Sequence, residues 1–246
     1  MSPTGASVPA AVAFVAAMPM ELTPLTRALS LRRAPGGAAD TWVGGLAGRP
    51  VVAVVTGMGT VRATAGVDRL LETTEVERVV VVGIAGAIDE ATPIGALVRP
   101  SLVVDGATGT GHRPDRLGPE TPQGILWTSD SLITDPARLA RLRGAGVVAL
   151  DMETAAVATV CRRRGISWSV VRSVSDRATD ATVDAEVFRL SNPDGTPNGK
   201  AVASFVLRHP GRIPAMARLA NGARLATRRA AEAAVSAVSA PDHRRD

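Results

Sequence analysis

Short runs of β-branched and other apolar residues recur along the chain and predict buried strands. They cover residues 11–16, 51–56, 79–83, 97–104, 147–150 and 169–174. Apolar runs of this length, without polar alternation, are typical of strands covered on both faces by helices. Helical patterns lie between them at residues 21–31, 61–73, 136–143 and 153–164, and Gly165 follows the last one as a stop signal. This alternation predicts an α/β protein with a central, mostly parallel or mixed sheet. We expect a single-domain three-layer α/β/α structure with a central mixed β-sheet.

Two irregular segments interrupt this pattern. Residues 105–124 are rich in glycine, proline and charge and predict a long surface loop, of the kind that often forms a lid or a binding loop. Residues 191–199 separate the body from a basic helical region. We expect one domain over residues 1–229 and an Ala/Arg-rich, disordered tail over residues 230–246.

The positive charge of the chain is concentrated near its C-terminus. The 246 residues carry a formal net charge of +5, but residues 200–246 hold nine Lys/Arg against three acidic residues, so the rest is close to neutral. Together with only three Trp, three Phe and no Tyr, this distribution argues against a nucleic-acid-binding core. A basic helical region can rest weakly on an anionic membrane surface, or it can be a solvated helix that packs on the sheet.

The cysteine content and the N-terminal sequence indicate a cytoplasmic protein. Cys161 is the single cysteine, so no disulfide can form within the chain, and three scattered histidines offer no metal-ligand spacing. The first charged residue is Glu21, so no basic segment precedes the N-terminal apolar run, which Pro9 and Pro19 interrupt. We therefore expect neither an export signal, nor a membrane span, nor a bound metal.

Three carboxylates follow predicted strands. Glu21 comes after the first strand, Glu153 begins a helix after the strand at 147–150, and Asp176 closes the strand at 169–174. Ligands of open α/β sheets bind beyond the carboxyl ends of the strands, so the three acids could share one pocket. The alternative is that they only complement helix N-termini.

Five segments around these acids carry a family resemblance. AMPMEL, TGMGTVRA, VVGIAGAID, ALDMETAAVATVC and VVRSVSDRA stand in the order and spacing of the purine nucleoside phosphorylase/nucleosidase superfamily. The resemblance runs from about residue 12 to residue 178, and the branch that the chain resembles most is the methylthioadenosine/S-adenosylhomocysteine nucleosidases. It implies a nucleoside phosphorylase-like fold and a purine nucleoside as the small-molecule substrate.

The resemblance implies that Asp176 is the acid that protonates or hydrogen-bonds N7 of the leaving purine. This task needs a raised pKa, which burial at a strand end supplies. It implies that Glu21 activates the attacking water, since a base and an acid flanking the scissile bond are the general logic of glycosyl hydrolysis. Glu153 would accept hydrogen bonds from the ribose hydroxyls, Met152 would pack against the sugar, and Ser175 and Arg172 would hold Asp176 and its loop.

Further candidate substrate contacts lie in the Gly-rich loop, in TSDSLIT and in the long loop: Ile84, Ala85, Gly86, Leu132, Ile133 and His112. Leu132 stands where the family places an aromatic side chain on the purine, so a different nucleoside or a bulkier 5′-group remains open. Ile84 stands where a small hydroxyl residue is frequent. The VVGIAGAID loop lacks an arginine, which counts against phosphate binding, although Arg62 could be a remote supplier.

The segment from residue 188 onward resembles the C-terminal part of hopanoid-associated nucleoside phosphorylases. The leading hypothesis is an N-ribosyl hydrolase, without a cofactor, that acts on a 5′-modified adenine nucleoside such as methylthioadenosine or S-adenosylhomocysteine. The alternative is a phosphorylase that uses inorganic phosphate as co-substrate and releases adenine from an adenosyl lipid. The third hypothesis is a catalytically inactive nucleoside-binding module. We expect a homo-oligomer, with a dimer favoured by the nucleosidase resemblance.

Overall fold

The computed structural model describes residues 10–35, 40–180, 185–192, 194–196 and 198–240. Its strands are β1 (Ala11–Ala16), β2 (Arg32–Arg33), β3 (Thr41–Leu46), β4 (Arg49–Val55), β5 (Val76–Ala87), β6 (Leu97–Val98), β7 (Leu102–Asp105), β8 (Gly111–His112), β9 (Ile125–Thr128), β10 (Val147–Asp151) and β11 (Ser167–Arg177). Its α-helices are α1 (Pro19–Ala28), α2 (Thr60–Thr73), α3 (Pro136–Gly144), α4 (Thr154–Arg164), α5 (Ala185–Phe188), α6 (Gly199–Arg208) and α7 (Ile213–Ser239), with a 3-10 turn at Pro210–Arg212.

The strands form one mixed sheet. Its main path runs β2-β3-β4-β1-β5-β10-β9-β7-β8, and β11 pairs with β5 and with β6. The pairs of β1 with β4, β1 with β5 and β11 with β5 are parallel, whereas β10 runs antiparallel to β5. The predicted fold class, with its mixed central sheet, is confirmed.

Both faces of the sheet are covered, which explains the uninterrupted apolar runs in the sequence. In β1, Ala13 and Val15 belong to the cluster that packs against α2 and α4, while Val12 and Phe14 belong to the cluster that packs against α1 and α7. Alternate side chains of a strand point to opposite faces, so every position of a strand covered on both sides must be apolar. The result is the predicted helix–sheet–helix layering.

The prediction of a disordered tail from residue 230 is wrong for residues 230–239, which complete α7. Ala230 and Ala234 are fully buried there, and Val238 is 6% exposed. Alanine is the strongest helix former, and its small side chain lets a helix lie close to a sheet. The alanine-rich composition of residues 230–239 therefore forms a packing face and not a disordered tail. Residues 241–246 lie outside the described part of the chain.

Residues 105–124 are less loop-like than expected, because β8 lies within them and pairs with β7. Asp115 ties the same segment to β11: its backbone N–H donates to the Trp168 carbonyl at 2.8 Å, and its backbone carbonyl accepts from Ser169 Oγ at 2.8 Å. The single strand expected at 97–104 is two strands, β6 and β7. The long segment is therefore anchored to the sheet.

Candidate active site

A cavity of about 300 Å³ opens at the ends of β1, β5, β10 and β11. Ten of the residues singled out from the sequence line it: Glu21, Ile84, Ala85, Gly86, Leu132, Ile133, Met152, Glu153, Ser175 and Asp176. Helix α7, which was not predicted to reach a site, contributes Leu219 and Ala223. The fold therefore gathers the three acids in one place, as the strand-end argument predicts.

Arg172 lies beneath this cavity among three carboxylates. Its Nη2 is 2.6 Å from Asp151 Oδ2 and 3.4 Å from Glu153 Oε2, and its Nη1 is 3.6 Å from Glu21 Oε1. The Arg172 side chain is 1% exposed. One buried cation therefore compensates a cluster of acids that would otherwise be costly to remove from water. The expectation that Arg172 holds Asp176 is wrong, since its ion pairs are with the other three acids.

Glu21 is fixed by backbone donors as well as by Arg172. It lies in the first turn of α1, where Oε2 accepts from the N–H groups of Ala17 at 3.0 Å and Met18 at 2.9 Å. Its Oε1 accepts from the N–H of Ile84 at 2.8 Å. Burial raises the pKa of Glu21, and the charge of Arg172 and these three hydrogen bonds act against that rise. The carboxylate is thus held in one orientation with a basicity above that of an exposed glutamate.

Gly83 leaves the space in which Glu21 and Arg172 approach each other. A Cβ atom on Gly83 would lie 2.5 Å from Arg172 Nη1 and would also collide with Glu21 Oε1. Such distances do not occur for real Cβ atoms, so only glycine is compatible with this ion pair.

Asp151 is a member of the acid cluster that sequence reasoning missed. Thr128 Oγ1 donates to its Oδ1 at 2.6 Å, and Thr154 donates to its Oδ2 through both its N–H and its hydroxyl. The same Oδ2 contacts Arg172. Asp151 therefore holds the guanidinium in place, and it also belongs to the lining of the cavity. Its signal in the sequence is a carboxylate at the end of a buried strand, two residues before Glu153.

Glu153 stands at the N-cap position of α4, but its side chain turns to the neighbouring loop, where Oε1 accepts from the N–H of Gly59 at 2.9 Å. Burial, followed by the negative charges of Asp151 and Glu21, raises the pKa of Glu153 to about 7, against the lowering effect of Arg172 and of the Gly59 hydrogen bond. With its pKa raised in this way, the carboxyl group can carry a proton at a higher pH than an exposed glutamate, and the protonated form can donate as well as accept a hydrogen bond.

Asp176 reaches the cavity through a β-bulge in β11. Val174 pairs with Ala85 and Asp176 pairs with the next residue, Gly86, so Ser175 is the extra residue. Since Ala85 and Gly86 point to opposite faces of the sheet, so do Val174 and Asp176. Burial raises the pKa of Asp176, while the hydrogen bond from Ser175 Oγ opposes the rise. A carboxyl group in this setting can carry a proton at a higher pH than an exposed aspartate.

His112 lies outside the cavity in this chain, contrary to its predicted contact with substrate. It belongs to β8 and is 4% exposed, with Nε2 3.4 Å from Thr159 Oγ1 on α4. The pairing of β8 with β7 directs its ring against α4, which a loop prediction could not foresee. Burial lowers the pKa of His112, and the charge of Arg162 adds to this effect.

The family model described as "Phosphorylase superfamily" matches residues 11–116 and 110–208. The chain belongs to this superfamily, as the resemblance predicts. Among curated relatives, it is 32% identical over 170 residues to the 5′-methylthioadenosine/S-adenosylhomocysteine nucleosidase of Marinomonas sp. (strain MWYL1), covering 56% of this chain and 73% of the relative. The nucleosidase of the same name from Shewanella sp. (strain W3-18-1) is 28% identical over 210 residues, 72% of this chain and 90% of the relative.

Solved structures share the fold. The 5′-methylthioadenosine/S-adenosylhomocysteine nucleosidase of Neisseria meningitidis, in complex with methylthio-immucillin-A, superposes with a TM-score of 0.70 at 18% identity and covers 93% of this chain and 98% of its own. The futalosine hydrolase of Helicobacter pylori strain 26695 has a TM-score of 0.69 at 15% identity, covering 93% of this chain and 97% of its own. The two solved structures therefore have the same architecture as this chain.

Proposed function

We propose that this chain is an N-ribosyl hydrolase that cleaves the glycosidic bond of a 5′-modified adenine nucleoside, such as methylthioadenosine or S-adenosylhomocysteine. The curated relatives carry the name of this activity. The observation that carries the proposal is Glu21, a buried carboxylate that three backbone N–H groups fix in the same cavity as Asp176. A fixed base and a fixed acid in one cavity are what hydrolysis of a glycosidic bond requires.

In this reaction Asp176 donates a proton to N7 of the purine while the bond between C1′ and N9 breaks. The purine leaves as a neutral base, and positive charge develops on the ribose ring. Water attacks C1′ and loses a proton to Glu21, which gives the free sugar. The raised pKa of Asp176 keeps its proton available, and the hydrogen bonds to Glu21 fix the carboxylate that receives one.

Glu153 and Met152 line the same cavity and are proposed to hold the ribose. Glu153 Oε1 is occupied by the Gly59 N–H, which leaves Oε2 as the atom for a sugar hydroxyl. Arg172 lies 3.4 Å from that Oε2 and limits its rotation. The carboxyl group is therefore oriented before the substrate arrives, which reduces the entropy lost on binding.

Phosphorolysis fits the cavity less well. No lysine or arginine is among the described residues that line it, and Arg172 beneath it is already paired with three acids. Arg62, the remote candidate, is exposed on α2, and its charge acts on Asp194. A phosphate anion would meet carboxylates instead of the cationic cradle that it needs. The phosphorylase alternative and the inactive binding module are accordingly not favoured.

The apolar part of the cavity is proposed to receive the 5′-substituent. Met20, Val187, Leu219 and Ala223 contribute apolar side chains to its wall. A thioether or alkyl group gains free energy by leaving water for such a surface, whereas an unmodified 5′-hydroxyl does not. This favours 5′-modified nucleosides over adenosine.

The direct test is adenine release from methylthioadenosine, S-adenosylhomocysteine and adenosine, each with and without inorganic phosphate, with identification of the sugar product. We expect free sugar, formed without phosphate, and preference for a 5′-modified substrate. A sugar 1-phosphate formed only with phosphate would overturn hydrolysis in favour of phosphorolysis. Absence of turnover on every substrate, with nucleoside binding intact, would favour the binding module.

We also propose that the reaction needs no cofactor, that the protein acts in the cytoplasm, and that the chain assembles into a homo-oligomer, with a dimer expected. Light scattering coupled to size-exclusion chromatography tests the last, and dialysis against a chelator before the adenine-release assay tests the first.

A further inference from the structure

The turn between α6 and α7, residues 206–214, exposes apolar side chains; we call it the α6–α7 tip. Leu207 is 83% exposed, Ile213 44% and Val206 39%. The tip is nevertheless fixed, because Phe205 beside it is 1% exposed and the guanidinium of Arg212 lies 5.1 Å from its ring centroid. Apolar side chains held outward by a packed turn indicate a binding surface.

The α6–α7 tip lies in a stretch without acidic residues. Between Asp194 and Glu232 the sequence contains no Asp or Glu, and it contains the basic residues Lys200, Arg208, Arg212, Arg218, Arg224, Arg228 and Arg229. At the tip itself, Arg208 and Arg212 both pair with one acid, Glu186 on α5, at 3.6 Å each. The surface around the exposed apolar side chains therefore carries an excess of positive charge, which is complementary to an anionic partner.

The tip is connected directly to the cavity by α7. Ile213 begins this helix, and Leu219 lines the cavity six residues later, which is about 9 Å along the helix axis. From Ala226 onward, the alanine face of α7 is buried against the core. The basic residues Arg218, Arg224, Arg228 and Arg229 are also exposed on α7, so the positive charge continues from the tip along this helix.

We propose that the α6–α7 tip docks this protein on the surface of an anionic lipid bilayer. Leu207 and Ile213 would enter the boundary between headgroups and acyl chains, and the basic side chains around them would face lipid phosphates. The interaction is peripheral, since none of the helices in the described ranges combines the length and the low polarity of a membrane span. Docking is independent of which nucleoside the cavity takes.

The test is co-sedimentation of the full chain with vesicles of phosphatidylglycerol and phosphatidylcholine, compared with vesicles of phosphatidylcholine alone. We expect binding to the anionic vesicles that weakens as salt is raised. The variant Leu207→Ser combined with Ile213→Ser should bind at least about tenfold more weakly, because two apolar side chains no longer enter the lipid. Val61→Ser is the matched control, since Val61 is 81% exposed on α2, away from the tip.

Adenine release from a soluble nucleoside checks that each variant is folded, since neither Leu207 nor Ile213 belongs to the proposed catalytic machinery. Equal binding of the tip variant and Val61→Ser would overturn the proposal, as would equal binding to neutral and anionic vesicles. A change of oligomeric state in the tip variant, without a change in vesicle binding, would assign the surface to a second copy of this chain and would also overturn it.

Discussion

Arg172 Nη1 lies 3.6 Å from Glu21 Oε1, and both side chains are only 1% exposed. Breaking a buried ion pair by removing one charge leaves the other uncompensated and costs about 3–5 kcal/mol. The same pair sets the orientation of the proposed base. Catalysis and stability therefore both depend on this contact. A variant that tests catalysis must keep the shape of the original side chain, so that its effect on turnover can be distinguished from its effect on stability.

Glu21→Gln keeps the shape and one carbonyl oxygen that can accept from the Ile84 N–H, but it cannot take a proton from water. We expect turnover to fall by about 10²–10⁴ while binding of an unreactive nucleoside analogue persists. Single-turnover adenine release and calorimetric titration measure the two quantities. Unchanged turnover would show that Glu21 is not the base.

Asp176→Asn removes the proposed acid while preserving its hydrogen bond with Ser175. Turnover should again fall by about 10²–10⁴, because the purine must then leave without protonation at N7. A substrate analogue whose leaving group needs no proton should lose much less. If both substrates lose the same factor, Asp176 acts by positioning and not as an acid.

Glu153→Gln should change the pH dependence of stability. The pKa of Glu153 is raised by burial to about 7, so the folded state binds a proton that the unfolded state releases near pH 4.5. The contribution of Glu153 to the free energy of unfolding is therefore greatest below about pH 4.5 and is lost as the pH rises through about 7. Urea unfolding of both proteins across this window should give curves that differ in slope. Parallel curves would contradict the raised pKa.

Gly83→Ala should disturb Glu21 and Arg172 together, because the added Cβ would lie 2.5 Å from Arg172 Nη1. We expect a loss of a few kcal/mol in stability and a fall in kcat. Gly144→Ala is the control, since nothing lies within 4 Å of a Cβ at that position. Thermal unfolding and adenine release are measured on both variants, and equal behaviour would show that the space at Gly83 is unimportant.

Ala234→Asp tests the packed end of α7. Ala234 is 0% exposed, so an aspartate there would bury a charge and should destabilise the fold by about 3 kcal/mol or more. Ser236→Asp, at an exposed position of the same helix, should change stability by less than about 0.5 kcal/mol. Equal midpoints in urea unfolding would mean that residues 230–239 do not pack on the sheet in solution.

The sequence was sufficient to predict the strands β1, β4, β5, β10 and β11, four helices and the three acids at strand ends. These features are local: apolar runs, helical periodicity and a polar residue after a buried strand. The edge strands β2 and β3 escaped prediction because they are short or exposed, with little apolar signal. The buried half of α7 escaped because alanine carries almost no hydrophobic contrast with its neighbours.

The sequence indicated most of the residues that form the site, but not which of them pair with one another. Arg172 is separated from Glu21 by 151 positions in the chain, so nothing local indicated that it pairs with this acid and not with Asp176. His112 was assigned to the substrate from its glycine-rich surroundings, and strand pairing places it against Thr159 instead. Long-range pairing, which sequence patterns do not encode locally, decided both outcomes.

The extra residue in β11 determines on which side of the sheet the proposed acid lies. Arg172 and Asp176 are four positions apart, so a regular strand would present both on the same side, and the insertion at Ser175 separates them. If β11 were regular, Ser175 would pair with Gly86 and Asp176 with Ala87, and the acid would lie on the side of Arg172. An aspartate at position 176 supplies the proposed proton donor, but the extra residue before it decides on which side of the sheet that donor lies.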